Sequence, residues 1–245
     1  MKQTIRLILD RARPASLNMA IDEVLMESQK DASCLPVLRI YFWEKAAYSL
    51  GYFQNVDVVV NRFRCAENDT DVVRRITGGG LVLHHEDLTF SLSLKNPNPF
   101  VPSETKASYL KINEALMAGL RKTYPGVDFA DCKTVPSGRA GQERICFNAP
   151  SCYDLLLDGR KVVGASQRRR QGVLLHQSTV FIKEDRRVLT GLILEGFQKK
   201  WGVELIEAAL TGEEIALAKK LEDERYSSRE WGFTSQKDLA PCLSS

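Results

Sequence analysis

Apolar positions along this chain recur with two periods, and the switches between them mark the elements. Ile5 to Leu9, Val37 to Phe42 and Ala47 to Tyr52 are short runs rich in β-branched and aromatic residues, which predicts strands, the last two joined near Glu44-Lys45. Between the first two, SLNMAIDEVLMES spaces Met19, Ala20, Val24 and Leu25 for a helix, with Ser16 as the expected N-cap and Asp22-Glu23 on a solvated face. Gly51-Tyr52-Phe53-Gln54 interrupts the strand pattern and reads as a strand end more readily than as a ligand contact. Val56 to Cys65 reads as helical or irregular.

The stretch DVVRRITGGGLVLHHEDLTFSLS predicts strands at Val72-Val73, Leu81 to Leu83 and Leu88 to Leu94, the first two joined through Gly78, Gly79 and Gly80. It is not a P-loop, because no Lys-Ser/Thr follows the glycines and no helix begins there. The loop could still offer backbone donors and open space to an extended ligand, although a flexible turn is the blander reading. His84 and His85 follow as candidate bases or hydrogen-bond groups, or as ordinary strand-end residues. Pro102 to Lys122 is the strongest helix pattern, with Ser103 as N-cap, Glu104 in its first turn, and Ile112, Leu116 and Leu120 on its apolar face. Asp131 to Glu143 is polar and reads as an exposed loop.

Beyond it, Tyr153 to Leu157, the turn pair Asp158-Gly159 and Lys161 to Ser166 spell a β-hairpin, with a third strand at Val173 to Ile182. Helices are predicted over Asp185 to Lys199 and Thr211 to Arg225, separated by Gly202 to Ile206, with a capping box of Thr211 and Glu214. Ser227 to Ser245 shows little periodicity. No repeat or low-complexity linker divides the chain, so residues 1–245 form one domain on this reading.

Composition excludes several classes. The 245 residues are 44% hydrophobic, enough for a substantial core, yet no apolar run approaches the roughly 20 residues of a membrane helix. The N-terminal MKQTIRLILDRARP lacks the pattern of a signal peptide, which places the protein in the cytoplasm. Six scattered cysteines without CxxC or HxxxH spacing predict neither a disulfide framework nor a metal site. A net charge of +3 is too mild to argue for nucleic acid. Arg168, Arg169 and Arg170 concentrate positive charge on what reads as a loop, suited to an acidic partner protein or simply exposed.

Candidate chemistry centres on Cys146 and Lys161. A cysteine attacks as thiolate, and a nearby ammonium favours that form; the same ammonium could instead stabilise the oxyanion of a thioester carbonyl. Both roles suit acyl transfer, while inert packing is the ordinary fate of a cysteine and the expected one for Cys152.

The motif VRRITGGGLVLHHEDLTFSL, together with GRKVVGASQRRRQGVLLHQST, resembles the glycine-loop and lysine motifs of the lipoate-protein ligase and octanoyltransferase family. Asn18 to Glu23, Ser49 to Gln54 and YSSREW are similar as well, and ICFNAPSCYDLLLDGRKVVG is similar to the stretch holding the nucleophile of cysteine-type octanoyltransferases. The resemblance covers most of the chain. It implies an α/β (α+β) fold, a mixed, largely antiparallel sheet flanked by helices, shared with biotin-protein ligases. It further implies that Cys146 takes octanoate from octanoyl-acyl carrier protein as a thioester and passes it to a lysine of a lipoyl domain, such as glycine cleavage H protein or a dehydrogenase E2 subunit, without a cofactor. On the same resemblance, Lys161 orients the thioester carbonyl, while Arg75, Gly78, Gly79, Gly80 and His84, with Gly164, Ser166 and Gln167, line the acyl site. The chain departs from the family pattern at His85, at Gly164-Ala165-Ser166-Gln167 and at Gln177, where a side chain in place of glycine is expected to narrow the pocket. Two other functions use the same scaffold: an ATP- and Mg-dependent lipoate-protein ligase, which needs no cysteine, and a non-catalytic lipoyl-domain binding protein.

Overall fold

A computed structural model describes residues 3–56, 69–131, 133, 150–228 and 231–232. An eight-stranded sheet forms its centre. In chain order its strands are β1 (Thr4–Arg13), β2 (Val37–Trp43), β6 (Leu88–Lys95), β7 (Val127–Phe129), β8 (Leu155–Leu157), β9 (Arg160–Arg170), β10 (Val173–Val180) and β11 (Glu204–Glu207). They lie in the order β11-β1-β2-β6-β10-β9-β8-β7, with the two pairings of β1 parallel and the rest antiparallel. A second, three-stranded sheet places β3 (Ala47–Leu50) between β4 (Asp71–Arg74) and β5 (Val82–His84). The expected α/β (α+β) architecture, a mixed and largely antiparallel sheet flanked by helices, is the one observed.

Strand alternation gives the large sheet two different faces. Leu38, Ile40, Phe90, Leu92, Leu94, Val163 and Leu174 point to one side, where α2 (Thr105–Leu120) and α3 (Arg186–Trp201) cover them with Ile112, Leu116, Ile193 and Phe197. The other side is polar at its middle. There α1 (Ala15–Ser28) packs with Met19, Ile21 and Leu25, and α4 (Gly212–Leu221) and a following π-helical turn (Glu222–Tyr226) back it with Ala218 and Tyr226. Among the described residues no helix is long and apolar enough to cross a membrane.

Several local expectations change for physical reasons. Asp22 and Glu23 are not solvated: Asp22 is fully buried and Glu23 nearly so. The Asp22 carboxylate accepts hydrogen bonds from Arg39 Nη1 (2.8 Å), Tyr41 OH (2.9 Å), Ser91 Oγ (2.7 Å) and Gln177 Nε2 (2.8 Å), so donors from three strands hold α1 to the sheet. Glu23 accepts from Arg225 Nη1 at 2.7 Å and from Tyr226 OH at 2.5 Å. The N-cap of α1 is Pro14, not Ser16, whose hydroxyl turns to Glu222. The N-cap of α2 is Glu104, not Ser103; its carboxylate accepts from the amides of Lys106 and Ala107. Thr211 and Glu214 do form the expected capping box.

The segment with Arg168, Arg169 and Arg170 is not a loop. It is the end of β9, which runs to a second tight hairpin at Gln171 (φ +49°) and Gly172 (φ +76°), a counterpart to Asp158 (φ +51°) and Gly159 (φ +77°). Alternation sends Arg168 over the Tyr52 ring, 4.9 Å from its centroid, and Arg169 to the opposite face, where it donates to Ser108 of α2. Cys152 is disulfide-bonded rather than a packed free thiol. Val56 is helical, while Asp57 to Cys65 and most of Asp131 to Glu143 also lie outside them.

Replacing Asp22 by Ala leaves Arg39 with Asp10 as its remaining ion-pair partner and takes the acceptor from Tyr41, Ser91 and Gln177, so the variant is expected to lose about 1–3 kcal/mol or more of unfolding free energy in urea titrations. An exposed control, Glu213→Ala, is expected to change it by less than about 0.5 kcal/mol.

Candidate active site

Where the small sheet meets the polar face of the large one, a cavity of about 30 Å³ remains. Met19 of α1, Tyr41 and Trp43 of β2, Thr89 of β6, Gly164 and Ser166 of β9, and Gln177 and Thr179 of β10 line one side. Ser49, Arg75, Val82 and His84 line the other. Four of the residues expected to form the acyl site, Arg75, His84, Gly164 and Ser166, therefore converge. The closed part of this half-open space is the size of one or two waters.

Arg75 is turned to the protein's own loop. Its guanidinium donates to the carbonyls of Ser49 (2.7 Å), Gly78 (2.8 Å) and Gly80 (2.7 Å), which shapes the glycine loop by pinning it to β3. Gly79 adopts φ +90°, and Gly51 packs so tightly that an added Cβ would stand 2.1 Å from the Gly79 carbonyl oxygen. The break at Gly51 thus marks close approach to the glycine loop and not merely a strand end.

His84 is buried and stacked on Trp43, ring centroids 3.8 Å apart. Burial depresses its pKa despite the opposing pull of Asp87, so the ring is neutral near neutral pH. One consistent proton arrangement has Nδ1–H donating to Asp87 Oδ2 (2.8 Å) and Nε2 accepting from Ser49 Oγ (2.8 Å). Arg75 Nη1 also donates to Ser49 Oγ at 3.1 Å. Burial alone would raise the Asp87 pKa, but His84, the His85 amide and the Thr89 hydroxyl outweigh it and hold the carboxyl below its ordinary value. A connected set thus runs Asp87, His84, Ser49, Arg75, glycine loop. His85 is exposed and contributes its backbone amide to Asp87.

Lys161 opens β9 and is almost wholly buried, its Nζ 2.6 Å from Asp154 Oδ2. Asp154 also accepts from the Ser151 amide at 2.5 Å, and Tyr153 before it adopts φ +69°, with its carbonyl held by Asn113 Nδ2 at 2.7 Å. A turn ahead of the hairpin therefore fixes the Lys161 partner. Lys161 is not among the residues lining the small cavity. Cys146, the proposed nucleophile, lies outside the described residues. Gln167 faces away from the cavity: its Oε1 accepts from Ser108 Oγ (3.0 Å) and its Nε2 meets His176 Nδ1 (2.9 Å) beneath α2. Gln177, next to His176 on β10, occupies the cavity wall instead.

Sequence reasoning did not single out Ser49, Asp87, Asp154 or Thr77 as site residues, because each is a common polar residue whose role depends on a distant partner. Spacing offered one signal: His84 and Asp87 are three apart across a turn. Among the described residues no group of three or more His, Cys, Asp or Glu side chains is placed to hold a metal.

The family model of the lipoyl protein ligase A/B catalytic domain matches residues 14–211. Among curated proteins, an octanoyltransferase LipM from Carboxydothermus hydrogenoformans is 34% identical over 88% of this chain and 93% of its own length. One from Geobacillus kaustophilus is 29% identical over 95% and 99%. Among solved structures, the putative lipoate protein ligase Ta0514 from T. acidophilum superposes with a TM-score of 0.77 at 23% identity, covering 95% of this chain and 99% of that one. A lipoate-protein ligase A bound with ATP gives 0.77 at 21%, with the same coverage. These two likenesses establish a shared fold.

His176 provides a test of the burial around the site. Burial, aided by Arg169, takes its pKa down to about 3, against about 6.5 in an unfolded chain. Between those values the unfolded state binds the extra proton, so the stability of the wild type falls as pH falls, by up to about 1.4 kcal/mol per pH unit from this group. Measured by urea unfolding from pH 7 to pH 5, His176→Phe is expected to lose stability less steeply than the wild type.

Proposed function

The chain belongs to the lipoyl protein ligase A/B catalytic-domain family, and from that premise we propose that it is an octanoyltransferase acting through a Cys146 thioester. The observation that carries this reading is the likeness to curated octanoyltransferases along nearly their whole length. In the first step the Cys146 thiolate attacks the carbonyl carbon of octanoyl-acyl carrier protein, and the carrier thiol leaves. In the second, the neutral amine of a lipoyl-domain lysine attacks the enzyme thioester. An amide forms, the amine's surplus proton is lost, and the Cys146 thiol is regenerated. No acid is activated by nucleotide in either step, so neither ATP nor Mg is required.

Lys161 suits the task of meeting the carbonyl oxygen as charge develops there. Its ammonium is held by Asp154 in a site nearly closed to water, so little reorganisation is needed when an oxyanion forms. The glycine loop, already braced by Arg75, offers an ordered wall for an extended acyl group. A lipoyl-domain protein is the natural acceptor, since one solved relative of this fold is described with its E2 lipoyl domain. Arg168 and Arg170 lie on the strand face toward Tyr52 and could receive an acidic partner.

Mixing the protein with octanoyl-acyl carrier protein, without ATP or acceptor, is expected to add one octanoyl group in intact-mass measurements. The adduct should be removed by hydroxylamine and absent from Cys146→Ser; octanoylation of a lipoyl domain only with ATP and free octanoate would instead mark a ligase. Lys161→Ala is expected to lower the rate of adduct formation by about 10²–10³, the effect of removing one oxyanion donor, in single-turnover assays.

A further inference from the structure

We propose that Gln177 is a specificity-determining residue, a fixed stop that limits the length of the acyl chain the cavity admits. The inference rests on the octanoyltransferase reading and concerns the same site.

The cavity is open on one side, and its closed end, about 30 Å³, has room for a water or two, so an acyl chain reaches deeper only where lining side chains give way. Those side chains differ in how firmly they are held. Met19 is an unbranched thioether with three rotatable bonds, the kind of residue that repacks readily. Gln177 is anchored at both ends of its amide. Its Nε2 donates to Asp22 Oδ2 at 2.8 Å and its Oε1 accepts from Thr77 Oγ1 at 2.7 Å. Thr77 in turn accepts from Ser166 Oγ at 2.9 Å, which ties the amide to β9 and to the segment leading into the glycine loop. The carboxylate beneath is itself locked by Arg39, Tyr41 and Ser91.

Moving Gln177 aside would take one of two donors from the buried Asp22 Oδ2, leaving Tyr41 OH, and would take the acceptor from the buried Thr77 hydroxyl, whereas moving Met19 gives up only a long contact of Gln177 Nε2 with its Sδ at 3.5 Å, a weak acceptor. An acyl chain therefore displaces the methionine and stops at the glutamine. Gln177 also separates the cavity from Asp22, which does not itself line it, so the terminal methyl of the chain meets a satisfied amide and not a charge.

The test compares wild type and Gln177→Ala for acyl-enzyme formation from hexanoyl-, octanoyl-, decanoyl- and dodecanoyl-carrier protein, read as kcat/KM for each chain with folding checked by circular dichroism. Because a single methylene in an apolar pocket commands roughly tenfold or more, the decanoyl-to-octanoyl ratio is expected to rise at least about tenfold in the variant. Gln177→Asn keeps an amide for Asp22 while withdrawing one methylene; it gives the same reading, at smaller size, should the alanine variant not fold. Octanoyl transfer by the wild type with an unchanged ratio in the variants would overturn the role of Gln177 and leave the transferase reading standing. Absence of acyl-enzyme from every chain in the wild type would bring down both.

Discussion

Burying a carboxylate beneath a helix is tolerable only where donors surround it, and at Asp22 the surrounding donors come from β2, β6 and β10. This one group explains why the large sheet has a polar middle on the α1 side. Arg39, Tyr41, Ser91 and Gln177 occupy alternate positions on their strands that would otherwise be apolar, as they are on the α2 side. The arrangement fixes where α1 sits, and α1 with its methionine forms part of the cavity wall. Stability and the site are therefore held by the same charge.

The second constraint is the closeness of the two sheets. Gly51 and Gly79 allow backbone to meet backbone, and Arg75 ties the glycine loop to β3 through three carbonyls. The loop is ordered by the protein itself, before any ligand contributes. Lys161 is treated in the same way: a turn stabilised by Asn113 and Ser151 delivers Asp154 to it. Groups suited to acyl chemistry are held by neighbours in advance, which keeps the reorganisation needed during reaction small.

Much of the fold was legible because the two periods are strong where they occur: the Asp158-Gly159 hairpin, the helix over Thr105–Leu120 and the Thr211 capping box read directly from sequence. Misreadings arose where a local rule was overridden from a distance. Asp22-Glu23 looked like a solvated pair because nothing nearby in sequence announces Arg39, Tyr41 or Arg225. The arginine run looked like a loop because charge masked its alternation, although Gln171-Gly172 held the turn signal. In the candidate site, Arg75, His84, Gly164 and Ser166 line one cavity, whereas Gln167 faces away and Lys161 is not among the lining residues. Adjacent residues on a strand send their side chains to opposite faces, and a motif written as a continuous string hides that.

The same parity carries a consequence for how the β9–β10 hairpin can change over time. Ser166 pairs with Gln177 across the strands and looks into the cavity, while Gln167 pairs with His176 and looks into the packing beneath α2. Inserting or deleting a single residue before the turn and carrying the slip along a strand would exchange these roles wholesale, setting the His176 imidazole in the cavity wall and cavity residues in the packing beneath α2. A one-residue change within either strand is therefore tolerated only where a bulge or the turn absorbs it, so the strands' parity is fixed by the two faces they serve.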